Sequence, residues 1–134
     1  MSDTTLNKSA RTLIAAGTSL SAGGTQRAVL DLRTSLGGLL TFKITNGATG
    51  PTLPCECRIL AAHNDGSTPA AAAAGADWKT LYRIAAGTAN NAAFERSYEV
   101  PSGVMHIEVE FTGNTGQAVT VEAYLSELVK AVST

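Results

Sequence analysis

The stretch "VMHIEVEFTG", residues 104–113, alternates strictly: Met105, Ile107, Val109 and Phe111 fall on one side, and His106, Glu108 and Glu110 on the other. Side chains at i and i+2 share a face only in an extended strand, so this period fits a half-buried β-strand and not an amphipathic helix. The same period recurs along the chain, in "RTLIAAG", "AVLDLRT", "LLTFKITNG", "CECRILA", "DWKTLYRIA", "FERSYEV" and "VTVEAYLSEL". In "DWKTLYRIA" it groups Trp78, Thr80, Tyr82 and Ile84; in "FERSYEV" it groups Phe94, Tyr98 and Val100, with Arg96 on the same face.

Turn signals separate these segments: "AGG" at 22–24, "NGATGP" at 46–51, "NDG" at 64–66, "AGTANN" at 86–91, "PSG" at 101–103 and "GNTGQ" at 113–117. Asn-Gly and Asp-Gly pairs favour turns because both residues tolerate positive φ. About eight short, half-polar strands with regular turns predict an all-β fold, an antiparallel β-sandwich or jelly roll. The last two strands flank "TGNTGQA" and are expected to pair as a hairpin, which would bring Glu122 near Glu108 and Glu110. The first ten residues, "MSDTTLNKSA", are polar and aperiodic. They read as a flexible N-terminal arm on a single sandwich domain spanning 11–134.

One segment breaks the pattern. "DGSTPAAAAAGADW", residues 65–78, carries five consecutive alanines. Thr68 suits an N-cap, Pro69 the first helical position, Ala70–Ala74 the helix body and Gly75 the C′ position. The spelling predicts one short helical insertion at about 68–75. A helix this short is marginal alone in water, so it must pack on its own domain, dock on a partner or fluctuate.

Composition narrows the function. Charged residues make up 16% of the chain, against the roughly 25% usual for soluble domains, while alanine (22) and threonine (17) are abundant. The shortage predicts an outer surface partly covered by other subunits, with a homo-oligomer (dimer or trimer) as the expected state. Ten basic and eleven acidic residues are dispersed, with no basic stripe to displace counterions from phosphates, so nucleic acid is not an expected partner. No apolar run approaches a membrane span, and the N-terminus lacks the basic start and apolar core of a signal peptide. A membrane partner is therefore not expected, and synthesis without secretory export is. Cys55 and Cys57 share a strand face at a spacing unsuited to a disulfide and read as reduced core residues.

The chain offers little chemistry. His63, Asp65 and Ser67 lie in one turn, where a hydrogen-bonded relay has no room, and His106 reads as a solvated strand residue. Glu108, Glu110 and Glu122 have the charge for a calcium ion but lack an Asp-rich loop; pairing with Lys or Arg on a neighbouring strand or subunit fits them better. No phosphate loop follows a strand and opens a helix. No catalytic, cofactor or metal site is expected, and the chain reads as a non-enzyme.

Two resemblances follow from quoted residues. The Asp-Gly turn before "DWKTLY" resembles the "DG…W..L" hairpin of galactose-binding-like jelly rolls. That implies a carbohydrate-binding module, with Trp78, Tyr82 or Tyr124 lining an exposed groove. Across most of its length, the chain resembles the small β-sandwich virion proteins of tailed bacteriophages. The carrying stretches are "SDTTLNKSARTL", "LDLRTSLGGLLTFKITNGATGPT" and "VPSGVMHIEVEFTGNTGQAVTVEAYL". The resemblance implies a structural part of the virion, assembled in the host cytoplasm: a capsid decoration (cement) protein bound to the major capsid protein or other virion proteins, or else a tail, neck or baseplate component. Contact candidates are Thr4, Leu6 and Arg11 at the arm, and Pro69, Ala70, Ala72, Ala74 and Trp78 at the alanine segment.

Overall fold

The computed structural model describes residues 4–70 and 77–133. Eight strands follow in chain order: β1 (Thr4–Leu20), β2 (Thr25–Asp31), β3 (Gly38–Asn46), β4 (Glu56–Ala62), β5 (Trp78–Ala85), β6 (Ala93–Val100), β7 (His106–Thr112) and β8 (Val119–Ser133). They form two four-stranded antiparallel sheets, ordered β1-β8-β3-β6 and β2-β7-β4-β5. The fold is thus the expected all-β sandwich, with jelly-roll strand order and every segment of period two on its own strand.

The inner faces of the central strands make the core. Leu40, Phe42 and Ile44 of β3 and Val119, Val121, Ala123 and Leu125 of β8 meet Cys57, Ile59 and Ala61 of β4 and Ile107, Val109 and Phe111 of β7. Phe42 and Phe111 touch edge to face, centroids 6.1 Å apart, and join the two sheets at mid-sandwich. Tyr82 and Tyr98, on the edge strands β5 and β6, stack at 5.5 Å and close one flank. Arg96 shares the inner face of β6, where its guanidinium lies over the Phe94 ring, 4.3 Å from the centroid. Cys55 and Cys57 are free and buried, and burial pushes both thiols well above their ordinary range.

Four expectations change. First, β7 and β8 do not form a hairpin: β7 sits between β2 and β4, and β8 between β1 and β3. The turn at 113–118 crosses from one sheet to the other, with Gly113 and Gly116 at positive φ. Glu122 therefore lies on the opposite sheet from Glu108 and Glu110. Among the described residues the only consecutive strands that pair are β4 and β5, which flank the alanine segment in the sequence.

Second, β5 carries a bulge opposite the Ile59–Leu60 step. One extra residue reverses the facing of everything beyond it. Tyr82 pairs with Ile59 and packs on the core, whereas Thr80 pairs with Leu60 and Trp78 with Ala62 on the outer face. Third, residues 4–10, read as an arm, are strand: Thr4 to Ala10 pair with β8 from Ser133 to Ser126. Polar residues suffice there because β8 is long enough to supply the backbone partners. Fourth, Thr68, Pro69 and Ala70 are irregular, and there is no helix among the described residues. The rest of the expected helix, including Ala72, Ala74 and Gly75, lies outside the described residues.

Candidate functional site

The outer face of the β2-β7-β4-β5 sheet is a grid set by strand register. Four cross-strand rows read Thr25–Thr112–Glu56–Ala85, Arg27–Glu110–Arg58–Arg83, Val29–Glu108–Leu60–Thr80 and Asp31–His106–Ala62–Trp78. The polar residues of β7 do point outward as its alternation predicts, but they are not solvated: His106, Glu108 and Glu110 are 4%, 0% and 7% exposed.

Long side chains from the flanking strands cover them. Arg27 Nε donates to Glu110 Oε2 at 2.8 Å and lies 3.3 Å from Glu108 Oε1. Arg58 reaches Glu110 Oε1 at 3.6 Å and donates from Nε to Glu56 Oε1 at 2.9 Å, and Arg83 also pairs with Glu56. Three arginines and three glutamates thus neutralise one another, as expected for carboxylates facing cationic neighbouring strands. The two arginines hold Glu56 below its ordinary range.

Glu108 is the strained member. Neither of its oxygens accepts a hydrogen bond, because the nearby Arg27 N–H is aimed at Glu110. Burial, reinforced by the charge of Glu110 and opposed by Arg27, pushes its carboxyl up to about 7.

Residues 63–70 and Asp77 roof the last row of this grid. His106 Nε2 is 2.9 Å from the Asn64 carbonyl, and Trp78 Nε1 donates to the Ala70 carbonyl at 2.7 Å. Asp77 Oδ2 accepts from the Ala70 amide at 2.7 Å, and Arg33 donates to the Asp65 carbonyl while its guanidinium clasps Asp31. Trp78, 7% exposed, is thus held inside its own chain and presents almost no surface to a partner. His63, Asp65 and Ser67 are exposed loop residues with no relay among them. No group of three or more His, Cys, Asp or Glu among the described residues is arranged to hold a metal ion.

The other sheet presents a different outer face. Its central rows read Thr12–Tyr124–Thr41–Ser97 and Ser19–Thr120–Thr45–Ala93, a hydroxyl-rich surface with Lys43 between Glu122 and Glu95 in the register. Tyr124 is half-buried, and its hydroxyl is held by Glu122, which raises it above its ordinary range. A sugar platform would need stacked exposed aromatics; Trp78 is roofed and Tyr82 is stacked on Tyr98, which leaves Tyr124 alone on an outer face.

The contact candidates among the described residues lie toward one end of the sandwich; Ala72 and Ala74 lie outside those residues. The connections at 32–37, 63–70 and 101–105 lie there, together with the start of β1 and the end of β8. β8 pairs with β3 as far as Glu127, and beyond Leu128 it pairs with β1 alone. Thr4 to Lys8 and Leu128 to Ser133 therefore form a two-stranded ribbon that runs past the sheet by about 15 Å, at roughly 3.4 Å per residue. Thr4 and Leu6 are on this ribbon, opposite Ser133 and Ala131. Arg11 lies just inside it and donates to the buried Glu127 at 3.0 Å. Pro69 and Ala70, half-buried, belong to the loop at the same end.

Sequence reasoning missed the groove at the ribbon's base. Leu36, Gly38, Leu39, Glu99, Pro101 and Leu128 line much of it, and its volume is about 620 Å³. The connection at 35–37 anchors the ribbon: the Leu36 amide donates to the Leu128 carbonyl at 2.7 Å and the Leu128 amide to the Gly37 carbonyl at 2.8 Å. Gly37 has φ +84°, and a Cβ there would collide with the Val100 carbonyl, so only glycine lets these strands approach so closely. Leu36 and Leu39 stay 41% and 48% exposed. The "SLGGLL" spelling, a Gly pair between leucines just before a strand, was the available signal.

No protein-family model matches the chain, and no curated protein matches it. Among solved structures it is similar to part of the T13 viral particle of infectious bursal disease virus: 14% identity over 92% of this chain and 31% of that chain, TM-score 0.56. It is also similar to the K3 cleaved adhesin domain of Lys-gingipain from Porphyromonas gingivalis (14% identity, 84% of this chain and 71% of that chain, TM-score 0.49). A third is the C-terminal family 22 carbohydrate-binding module of Clostridium thermocellum Xyn10B (12% identity, 96% and 87%, TM-score 0.45). At such identities the likeness is one of fold: the chain is a β-sandwich of jelly-roll type, a class that serves in particle structure and in binding. It spans less than a third of the infectious bursal disease virus protein it matches.

Proposed function

We propose that this protein is a non-enzymatic structural component of a virus particle, a decoration (cement) protein on the capsid of a tailed bacteriophage. The observation that carries the reading is the asymmetry of the sandwich. One end gathers a projecting ribbon, a leucine-lined groove and connecting loops, while the arginines and glutamates on the outer face of the β2-β7-β4-β5 sheet neutralise one another. Such an end suits contact with other subunits and supplies no reacting group. The low charge content and the jelly-roll order, a fold used in viral particles, support the same reading. The major capsid protein or a neighbouring virion protein is the partner, and the virion, assembled in the host cytoplasm, is the location.

A decoration protein recognises the assembled shell and stabilises it by mass action. The test is quantitative mass spectrometry of purified particles from the source, followed by rebinding of the purified protein to stripped shells. Copy numbers that follow icosahedral symmetry, with shells that withstand more heat after rebinding, are the expected result. Copy numbers of a single ring would place the protein in the tail, neck or baseplate. Absence from particles would sink the reading.

A further inference from the structure

We propose that the groove at the ribbon end receives the β1–β8 ribbon of a second copy of this chain, so that two copies exchange ribbons about a two-fold axis. Three observations carry it. Among the described residues, the ribbon, Thr4–Lys8 against Leu128–Ser133, has no third strand beyond Leu128. An isolated two-stranded ribbon is marginal in water and needs a surface to pack on. The groove lies beside the root of that same ribbon, since Lys8 and Leu128 line it and also form a ribbon pair. A two-fold operation that lays one ribbon into the partner's groove therefore does the same in return, which is the closed, isologous arrangement.

The surfaces match in character. Leu36 and Leu39 leave apolar area at the groove, 41% and 48% exposed, on a face where Ser126 and Glu99 flank Leu39 in the register. Lys8 and Glu99, both groove residues, make no ion pair among the described residues. One positive and one negative charge on the same self-facing surface are complementary under a two-fold. Lys8 of each copy meets Glu99 of the other, and the operation creates both pairs at once. Contacts of a ribbon lying in the groove are those of strand against sheet face, with hydrophobic area from the leucines and backbone polar groups of the ribbon edge facing the hydroxyl of Ser102.

The inference is independent of the particle reading. Light scattering after size exclusion, on the full chain over a concentration series, gives the test. The expected mass is that of a dimer. Leu39→Asp, on an exposed outward position, is expected to weaken dimerisation at least about tenfold, with the melting curve of the dilute protein unchanged. Lys8→Glu and Glu99→Lys are each expected to weaken it several-fold, and the double reversal to restore it. A chain that is monomeric up to about millimolar concentration, a trimer or larger ring, or a dimer indifferent to Leu39→Asp overturns the proposal. So does a double reversal no better than the singles. A monomer that still decorates particles overturns ribbon exchange and leaves the virion reading intact; a ribbon-dependent dimer absent from particles does the reverse.

Discussion

The two ends of the sandwich are built on opposite terms. At the end of the connections 21–24, 47–55, 86–92 and 113–118, asparagine side chains hold the chain's own backbone. Asn46, buried in β3, donates to the carbonyls of Gly87 and Ala89 at 3.1 and 2.9 Å. Asn114, 0% exposed, donates to the carbonyls of Gln117 and Leu20 at 3.0 and 3.3 Å. Asn90 Oδ1 accepts from the Gly50 amide at 2.8 Å. At the ribbon end, by contrast, two leucines and two charges with no ion-pair partner among the described residues surround an open groove, and a ribbon leaves the sheet. The first end is closed by internal hydrogen bonds; the second is left for contact. Damage to the first should cost folding without touching association, and damage to the second should do the converse.

The largest effect is expected at the closed end. Asn114→Ala leaves the Leu20 and Gln117 carbonyls, on two connections of the chain, without this donor. It should destabilise the fold by about 2–3 kcal/mol in urea unfolding, with solution mass unchanged at folded concentrations. A loss below about 0.5 kcal/mol would mean water replaces the amide, and the contrast between the ends would dissolve.

Glu108→Gln comes next, with the opposite sign. The folded state holds this carboxyl at about 7, above its ordinary 4.5. The unfolded chain ionises first as pH rises, so the stability present below about pH 4.5 declines until the folded group ionises near pH 7, and is level beyond. The amide cannot ionise, and Arg27 keeps Glu110. Glu108→Gln should match the parent near pH 4 and exceed it by about 1–3 kcal/mol at about pH 8, read from denaturation midpoints across that range. Parallel pH curves for the two proteins would refute the burial argument.

Both residues show where the sequence was readable and where it was not. Alternation in "VMHIEVEFTG" and its seven companions located every strand, because a two-residue period is a local property of the chain. Which strands pair is not local. A Gly-rich turn such as "TGNTGQ" serves equally for a hairpin or for a crossing between sheets, and β7 and β8 took the crossing. The polar side of β7 was correctly placed outward and its glutamates correctly matched to cationic neighbours, but His106 was wrongly read as solvated. The covers of the glutamates, Arg27 and Arg58, come from strands far away in sequence. Trp78 changed faces because of a single bulged residue, which leaves no mark on a composition or a period. Asn46 and Asn114 were legible as turn formers, while the carbonyls Asn46 holds, and the Leu20 carbonyl held by Asn114, belong to other parts of the chain. At the ribbon end, "TTLNK" looked like an arm because its partner, the far end of β8, is the opposite terminus of the chain.

A smaller effect on folding is expected from the ribbon itself. Deleting residues 1–7 removes the outer part of β1 and spares Ile14 and Leu20, the residues by which that strand enters the core. Stability should change by less than about 1 kcal/mol, since the lost pairs lie beyond the sheet and two-stranded ribbons contribute little alone. Association, both between copies and with particles, should be lost. A truncated chain that unfolds would show that the ribbon braces its own domain, and the proposed division of labour between the two ends would fail.

The smallest effect is expected between the ends, on the hydroxyl-rich outer face. Thr41 and Ser97 share a hydrogen bond of 2.8 Å in an exposed cross-strand pair of β3 and β6. Water can replace either partner there, and the remaining hydroxyl stays solvated. Thr41→Ala should therefore cost no more than about 0.5 kcal/mol, chiefly through the lower strand preference of alanine. The dimer constant should be unchanged, because Thr41 lies a full row inward of Leu39 in the register, away from the groove. This near-silent substitution gives the scale against which the others are read. If Thr41→Ala weakened association as much as Leu39→Asp, the contact surface would extend over the whole face of the sheet, and the ribbon end would lose its special place.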